Sequence, residues 1–565
     1  MALSSILIKF VTKRSANRFE RATLNPTEIQ KQKLLSIIRK NEQTEYGRRY
    51  NFSSIQNISD YQKHVPIVKY EDFSADIEKI IDGEKNVLTA EDPIMFAQTS
   101  GTTGAAKYIP VTPTCQGREH SDVAKTWIYH IFASHKSILG GKIVSLVSPA
   151  IEGYTERGVP FGSTSGHMYK NMPGAVSKTY SIPYEAFEIS NYQSKYYAIM
   201  RISLEDDVRM LGTANPSSVM KMCEKGNEFG EEIIRDIRDG TLSKSFEIEP
   251  QIRDHLEKMF KPNPQKATFL EKARSRRKGV LMPADYWPNL ALICCWKGGT
   301  VGHYLEKYPQ WFSPDGDRQI PVRDLGYLSS EARGSIPLSD EGSAGVLTVA
   351  TNFYEFVEVE DLMANPEDPG SWTYLTTEQL EEGKEYYIYV TTTGGLYRYD
   401  INDIIKVEGF YNKTPQIIFL RKGRGMTNIT GEKLSVNQII DAFQQVSDKT
   451  GNIPAHFKAE ADTENSRYVF RVEFVKRIEA ERAKEFLSGL DEYLKKINIE
   501  YKSKRDSFRL ANPLLHIMRE GWYERGRKEL VESGKRAFQV KTQILSPLKQ
   551  QTMEIKTELE DIIEM

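Results

Sequence analysis

Apolar residues in this chain recur at two periods, and the two alternate from about residue 27 to residue 420. Ile29, Leu34, Leu35, Ile37 and Ile38 mark one helix face within a charged stretch over 27–41, and a second helical segment runs from about 114 to 138. Short apolar or alternating runs of strand character stand at 94–97, 142–147, 386–391 and 417–420. A longer alternation over 346–359 predicts a hairpin or edge strands. Asn215-Pro216 reads as a helix start, with Asn as the cap and Pro in the first turn. Helices interleaved with strands bury both kinds of apolar face most simply in a layered α/β core, with mixed β-sheets flanked by helices. After residue 420 the pattern changes. Arg421-Lys422-Gly423-Arg424-Gly425 is basic and glycine-rich, suited to a hinge. Beyond it, 469–475 alternates with Phe470, Val472 and Phe474 on one face. A helical stripe of Ala483, Phe486, Leu487, Leu490, Tyr493 and Leu494 follows. The expectation is a large N-terminal domain, residues 1–421, and a small α+β C-terminal domain, residues 422–565.

Composition narrows the function classes. With 39% hydrophobic and 27% charged residues, the 565-residue chain is neither disordered nor a membrane bundle. Lys and Arg number 76 against 77 Asp and Glu, for a net charge of −1, so no overall field gathers nucleic acid or an anionic membrane. An anionic ligand has to be held by local groups. Cys115, Cys223, Cys294 and Cys295 form no CxxC pair, which fits a reduced, cytoplasmic chain. The apolar N-terminal patch is broken by Lys9 and followed by Lys13 and Arg14, unlike a secretory signal, and is expected to pack as a helix. No run approaches the ~20 apolar residues of a transmembrane helix.

Three segments carry chemistry. Thr99-Ser100-Gly101-Thr102-Thr103-Gly104-Ala105-Ala106-Lys107 follows the apolar run at 94–97. Its glycines let the backbone wrap an oxyanion, its hydroxyls and amides are neutral donors, and Lys107 adds a charge, the chemistry of a triphosphate cradle. It is not a Walker loop, because no Gly precedes Lys107 and no Ser or Thr follows it. In Gly326-Tyr327-Leu328-Ser329-Ser330-Glu331, an aromatic ring can stack on a base, hydroxyls can reach a phosphate, and a carboxylate can hold a divalent cation. In Gly394-Gly395-Leu396-Tyr397-Arg398-Tyr399-Asp400-Ile401-Asn402-Asp403, a carboxylate can accept from both hydroxyls of a ribose. Alone, the third segment would also pass as a charged turn between strands.

In order and spacing these segments resemble the acyl-adenylate-forming superfamily, and more narrowly the auxin-responsive acyl-acid amido synthetases, the plant enzymes that conjugate jasmonate or auxin to amino acids, and their bacterial relatives. Trp287-Pro288-Asn289-Leu290 leading to Gly298-Gly299-Thr300, and Gly409-Phe410-Tyr411-Asn412-Lys413-Thr414-Pro415-Gln416, support the likeness. So does Gly212-Thr213-Ala214-Asn215-Pro216-Ser217, with Ala214 as an insertion. The resemblance implies that Ser100, Gly101, Thr102, Thr103 and Lys107 embrace the β- and γ-phosphates of ATP. Gly299 and Thr300 would line the adenine site with Tyr327 against the base, Ser330 would approach the α-phosphate, and Asp403 would bind the ribose. Glu331 would hold Mg²⁺, and Arg421 matches the superfamily's hinge arginine. Phe538-Gln539-Val540-Lys541 resembles the family's Gln-x-Lys motif, which makes Lys541 the candidate mobile lysine, with Lys535 and Lys549 as alternatives. The chain departs from the family at Thr542 and Gln543, at Asp400 in place of a usual Arg, and at Asn402 in place of a usual Gly.

The implied reaction joins a small carboxylic acid to an amino acid or other amine by way of an acyl-adenylate. Transfer to coenzyme A or a carrier thiol is the nearest alternative, and a non-catalytic ATP-binding protein a second one. Gly162-Ser163-Thr164-Ser165-Gly166 has the outline of a nucleophile elbow but lacks the central Ser. No histidine spacing suggests a metal site, and the Arg274–Lys278 cluster reads as a solvated face.

Overall fold

A computed structural model describes residues 3–99, 107–214, 216–298, 305–365, 368–423, 434, 436–462, 465–498, 501–502, 505, 510–532, 544–547 and 557–565. Two compact units divide the chain, Met1–Leu420 and Arg421–Met565.

In the first unit, mixed sheets are flanked by helices, as the alternating periods predict. The helix Pro26–Lys40 starts on a proline and buries Leu34, Ile37 and Ile38. Four parallel strands, Lys142–Ser145, Val208–Gly212, Leu292–Cys294 and Val322–Arg323, form one sheet in that order. Their carboxyl ends therefore lie along a single edge, where open parallel sheets hold ligands. The strands Met95–Thr99 and Lys107–Val111 pair antiparallel, with Thr99 opposite Lys107, so the ends of the glycine-rich nonapeptide are register partners.

A six-stranded sheet runs in the order Phe353–Glu358, Glu385–Thr391, Tyr399–Tyr411, Thr414–Lys422, Gly345–Leu347 and Ser335–Ile336. The alternation at 346–359 thus supplies two strands that do not pair with each other. Phe353–Glu358 sits at an edge, and Gly345–Leu347 lies between two other strands. The buried turn between them is satisfied by one side chain. Gln30 Nε2 donates to the carbonyls of Val349 (2.6 Å) and Asn352 (2.7 Å), and its Oε1 accepts from the Tyr354 amide at 2.9 Å. Such pairing is what backbone polar groups require once removed from water.

The helical segment expected from 114 to 138 has three parts: a π-helical turn Cys115–His120, the helix Ser121–Ser134 and a 3₁₀ turn Lys136–Gly140. The N-terminal patch lies in the helix Leu3–Thr23, tied down where Ser15 and Arg18 donate to Asp122.

The second unit holds a five-stranded sheet, in the order Leu545–Pro547, Pro454–Asp462, Arg467–Phe474, Leu514–Met518 and Leu559–Glu564. Helices Val436–Thr450 and Ala480–Ile497 bury Phe443, Phe486, Leu487 and Leu490 in one cluster with Phe470 and Val472. Among the described residues no helix is long and apolar enough to cross a membrane.

Candidate active site

The second and third segments meet in the first unit. Tyr327 Oη donates to Asp403 Oδ2 at 2.8 Å, across 76 residues of sequence. Burial, and then the Asp403 carboxylate, push the Tyr327 phenol well above its ordinary range, so it remains a donor. Its ring retains 6% exposure and stacks on Phe419, with centroids 6.2 Å apart and planes at 12°. Gly334 is needed here, since a Cβ at that position would come 2.3 Å from the Tyr327 ring. An enclosed ring of this kind leaves only a small margin for the expected contact with adenine.

Two turns set the neighbouring carboxylates. Ser329 Oγ accepts from the amides of Glu331 (3.2 Å) and Ala332 (3.1 Å), fixing the turn that carries Ser330 and the half-buried Glu331. Asp403 stands on the strand Tyr399–Tyr411, just past an irregularity where Asp403 faces Ile388 but Asp400 faces Tyr389. Within it Asn402 has φ 55°, and its amide donates to Asp400 Oδ1 at 2.8 Å. Asparagine is among the few residues besides glycine that take this left-handed conformation readily. Both departures from the family pattern therefore serve one local structure, in which Asn402 supplies the turn and Asp400 caps it.

Lys107 Nζ lies 3.2 Å from Glu71 Oε1 and 4.9 Å from the centroid of the Tyr70 ring, and Tyr70 Oη accepts from the Tyr108 amide. Tyr399 connects this corner to the others. Burial raises its phenol pKa first, and the carboxylates of Glu331 and Glu71 raise it further, which places all three within electrostatic reach. Ser100, Gly101, Thr102, Thr103, Gly299, Thr300 and Lys541, with the alternatives Lys535 and Lys549, lie outside the described residues. Arg421 is described as a strand residue only.

Two positioning residues have no sequence signature. The buried Asp324 accepts from the amides of Lys297 and Gly326, both at 2.6 Å, and so ties the segment before Gly299 to the one that begins Tyr327. The buried Glu119 accepts from the amide of Thr393 at 3.1 Å and from its hydroxyl, which anchors the turn leading into the third segment. A lone Asp or Glu at such a place becomes recognisable only once its burial is known. Among the described residues no cluster of three His, Cys, Asp or Glu side chains forms a metal cage. Glu331 has no lysine or arginine within ion-pair distance among them, and a single open carboxylate is what Mg²⁺ needs when substrate phosphates and water complete its shell.

Residues 15–315 match the GH3 family N-terminal domain, more than half of the 565 residues. The chain belongs to the GH3 family. Residues 345–422 match the GH3 central domain, and 436–550 the GH3 C-terminal domain. Among curated GH3 relatives, indole-3-acetic acid-amido synthetase GH3.2 of Arabidopsis thaliana is 26% identical over 450 residues, 76% of this chain and 80% of its own. Jasmonoyl--L-amino acid synthetase JAR4 of Nicotiana attenuata is 24% identical over 556 residues, 94% and 93% of the two chains. The solved GH3.15 acyl acid amido synthetase has a TM-score of 0.83 at 20% identity over 96% of both chains, a likeness of fold.

Proposed function

We propose that this GH3 chain is an ATP-dependent acyl-acid amido synthetase: it adenylates a small carboxylic acid and passes the acyl group to an amino acid or other amine. Membership of the family along most of the chain, with relatives named for amide formation, carries the reading and favours an amine over a thiol as acceptor. The Tyr327–Asp403 hydrogen bond supports a shared site for two of the three segments.

A carboxylate does not condense with an amine at neutral pH because its oxide is a poor leaving group. Attack of the carboxylate on the α-phosphate of ATP expels pyrophosphate and leaves a mixed anhydride, from which the amine expels AMP. In this reading Ser100, Gly101, Thr102 and Thr103 hold the β- and γ-phosphates, and Lys107 leaves Glu71 to join them. Gly299 and Thr300 line the adenine, Ser330 meets the α-phosphate, and Asp403, oriented by Tyr327, accepts from the ribose hydroxyls. Glu331 would hold Mg²⁺, which neutralises phosphate charge when bound. Lys541 meets the charge that develops on the α-phosphate, a contribution on the order of 10²–10³ in rate for one well-placed donor. Residues 1–421 act as the ATP- and acyl-binding domain. Residues 422–565, turning about Arg421, bring Lys541 in for adenylation and withdraw it for transfer. Four buried free cysteines fit a cytoplasmic enzyme.

Carboxylate-dependent exchange of labelled pyrophosphate into ATP, run over a panel of acids, tests the first step. The reading fails if no acid stimulates exchange. Offering amino acids and coenzyme A to the preformed adenylate then tests the acceptor, and product formed only with the thiol would replace the amide by a thioester.

A further inference from the structure

Among the described residues, buried arginines come with a carboxylate. Arg201 has Glu205 at 2.8 Å, Arg323 has Asp340 at 2.6 Å, and Arg398 has Glu355 at 3.0 Å. In the second unit Arg471 has Glu460 at 2.7 Å and Arg505 has Asp491 at 2.8 Å. This is the expected pattern, since a cation taken out of water without a partner costs several kcal/mol.

Arg333 breaks it. It lies two residues beyond Glu331, bridged to Leu328 across the same turn, and has no carboxylate within 4.0 Å among the described residues. Its Nη2 reaches only the Met168 thioether at 3.9 Å, and its Nε is shielded from water without a partner. Burial lowers its pKa to about 10, opposed by the Cys115 side chain.

Other buried polar atoms of this unit are also unmatched. His120 Nδ1 and Gln116 Oε1, both on the π-helical turn, are buried without partners. Burial first, and then the Arg333 charge, hold His120 neutral. Ser148 Oγ and Thr213 Oγ1 are likewise buried and unmatched, just beyond the carboxyl ends of two adjacent parallel strands. Water can satisfy a hydroxyl or an amide oxygen. It does not neutralise a guanidinium.

We infer that the acid adenylated here carries a second anionic group, in the simplest case a second carboxylate, which pairs with Arg333. This rests on the adenylation reading above and adds the class of acid to it. The reacting carboxylate is a poorer candidate for the pairing, because adenylation turns it into a neutral acyl group and would strand the guanidinium for the rest of the cycle. A second carboxylate keeps its charge from binding to product release. The indole-3-acetic acid named for one relative offers no such group.

Pyrophosphate exchange with matched pairs tests this: adipate against hexanoate, glutarate against pentanoate, terephthalate against 4-methylbenzoate. The wild type is expected to favour the diacid of at least one pair by about 100-fold in kcat/KM, as sites built around a polar contact reject analogues that lack it. Arg333→Met should remove that preference while leaving the monoacid unchanged or improved, and Arg333→Lys should restore part of it. Isothermal titration of the preferred diacid should lose its heat in Arg333→Met. The Tm of Arg333→Met should stay level or rise, because the substitution deletes a half-buried charge without a carboxylate partner, whereas a structural arginine would lower it. Preference for monoacids, or an equal loss for both members of a pair, overturns the inference and leaves adenylation standing. Exchange with no acid overturns both.

Discussion

The groups around Tyr327 and those around Arg333 are six residues apart in sequence and opposite in state. On the Tyr327 side hydrogen bonds set the polar groups in place. Asp403 accepts from Tyr327, Asp324 from two backbone amides, and Ser329 from two more. On the Arg333 side the guanidinium Nε and the His120 Nδ1 are buried with nothing to bind. The first arrangement is fixed before any ligand arrives, as suits the nucleotide proposed for it. The second leaves its polarity open for a ligand group to complete.

Several substitutions would break or sharpen this contrast. Lys541→Ala and Glu331→Ala should each slow pyrophosphate exchange by about 10²–10³ with Tm unchanged. A normal rate in Lys541→Ala would return the role to Lys535 or Lys549. Tyr327→Phe removes a hydrogen bond to a buried carboxylate. It should cost about 1.5–3 kcal/mol in denaturant unfolding and raise the KM for ATP more than it lowers kcat. An unchanged KM would separate Asp403 from the ribose.

The Arg471–Glu460–His516 group in the second unit gives a matched histidine to compare with His120. Arg471 Nη1 donates to His516 Nδ1 at 3.1 Å, and burial and the Arg471 charge lower the His516 pKa to about 4. The unfolded histidine binds its proton near pH 6.5, so it protonates before the folded one does. Stability should therefore be full above about pH 6.5 and fall between there and pH 4, by about 1–3 kcal/mol. His516→Gln should flatten that part of a pH titration of stability. The smallest effect is expected at Asn402. Asn402→Gly keeps the left-handed turn and should leave exchange unchanged, while Asn402→Val should lose about 1–2 kcal/mol of stability.

Much of the architecture was readable because period reports which face is buried. The helix Pro26–Lys40 and the strand Glu385–Thr391 follow from their apolar spacing within a residue or two. Period does not report which strand sits alongside, so the partners of Gly345–Leu347 and Phe353–Glu358 were out of reach. The 13-residue strand Tyr399–Tyr411 was hidden for another reason. Asp400, Asn402, Asp403, Lys406 and Glu408 interrupt its apolar residues, and the irregularity at Asn402 resets its alternation. Within the site, family-like segments pointed to Tyr327, Glu331 and Asp403. Asp324 and Arg333 had no spacing to betray them, and only the burial of Asp324 and the unpartnered Nε of Arg333 separate them from surface charges.

Labelling the acid carboxylate with ¹⁸O tests the central claim most directly. With ATP and an amino acid present, attack of the carboxylate on the α-phosphate predicts one ¹⁸O in the phosphate of the AMP released. Unlabelled AMP, or release of ADP in its place, would contradict it.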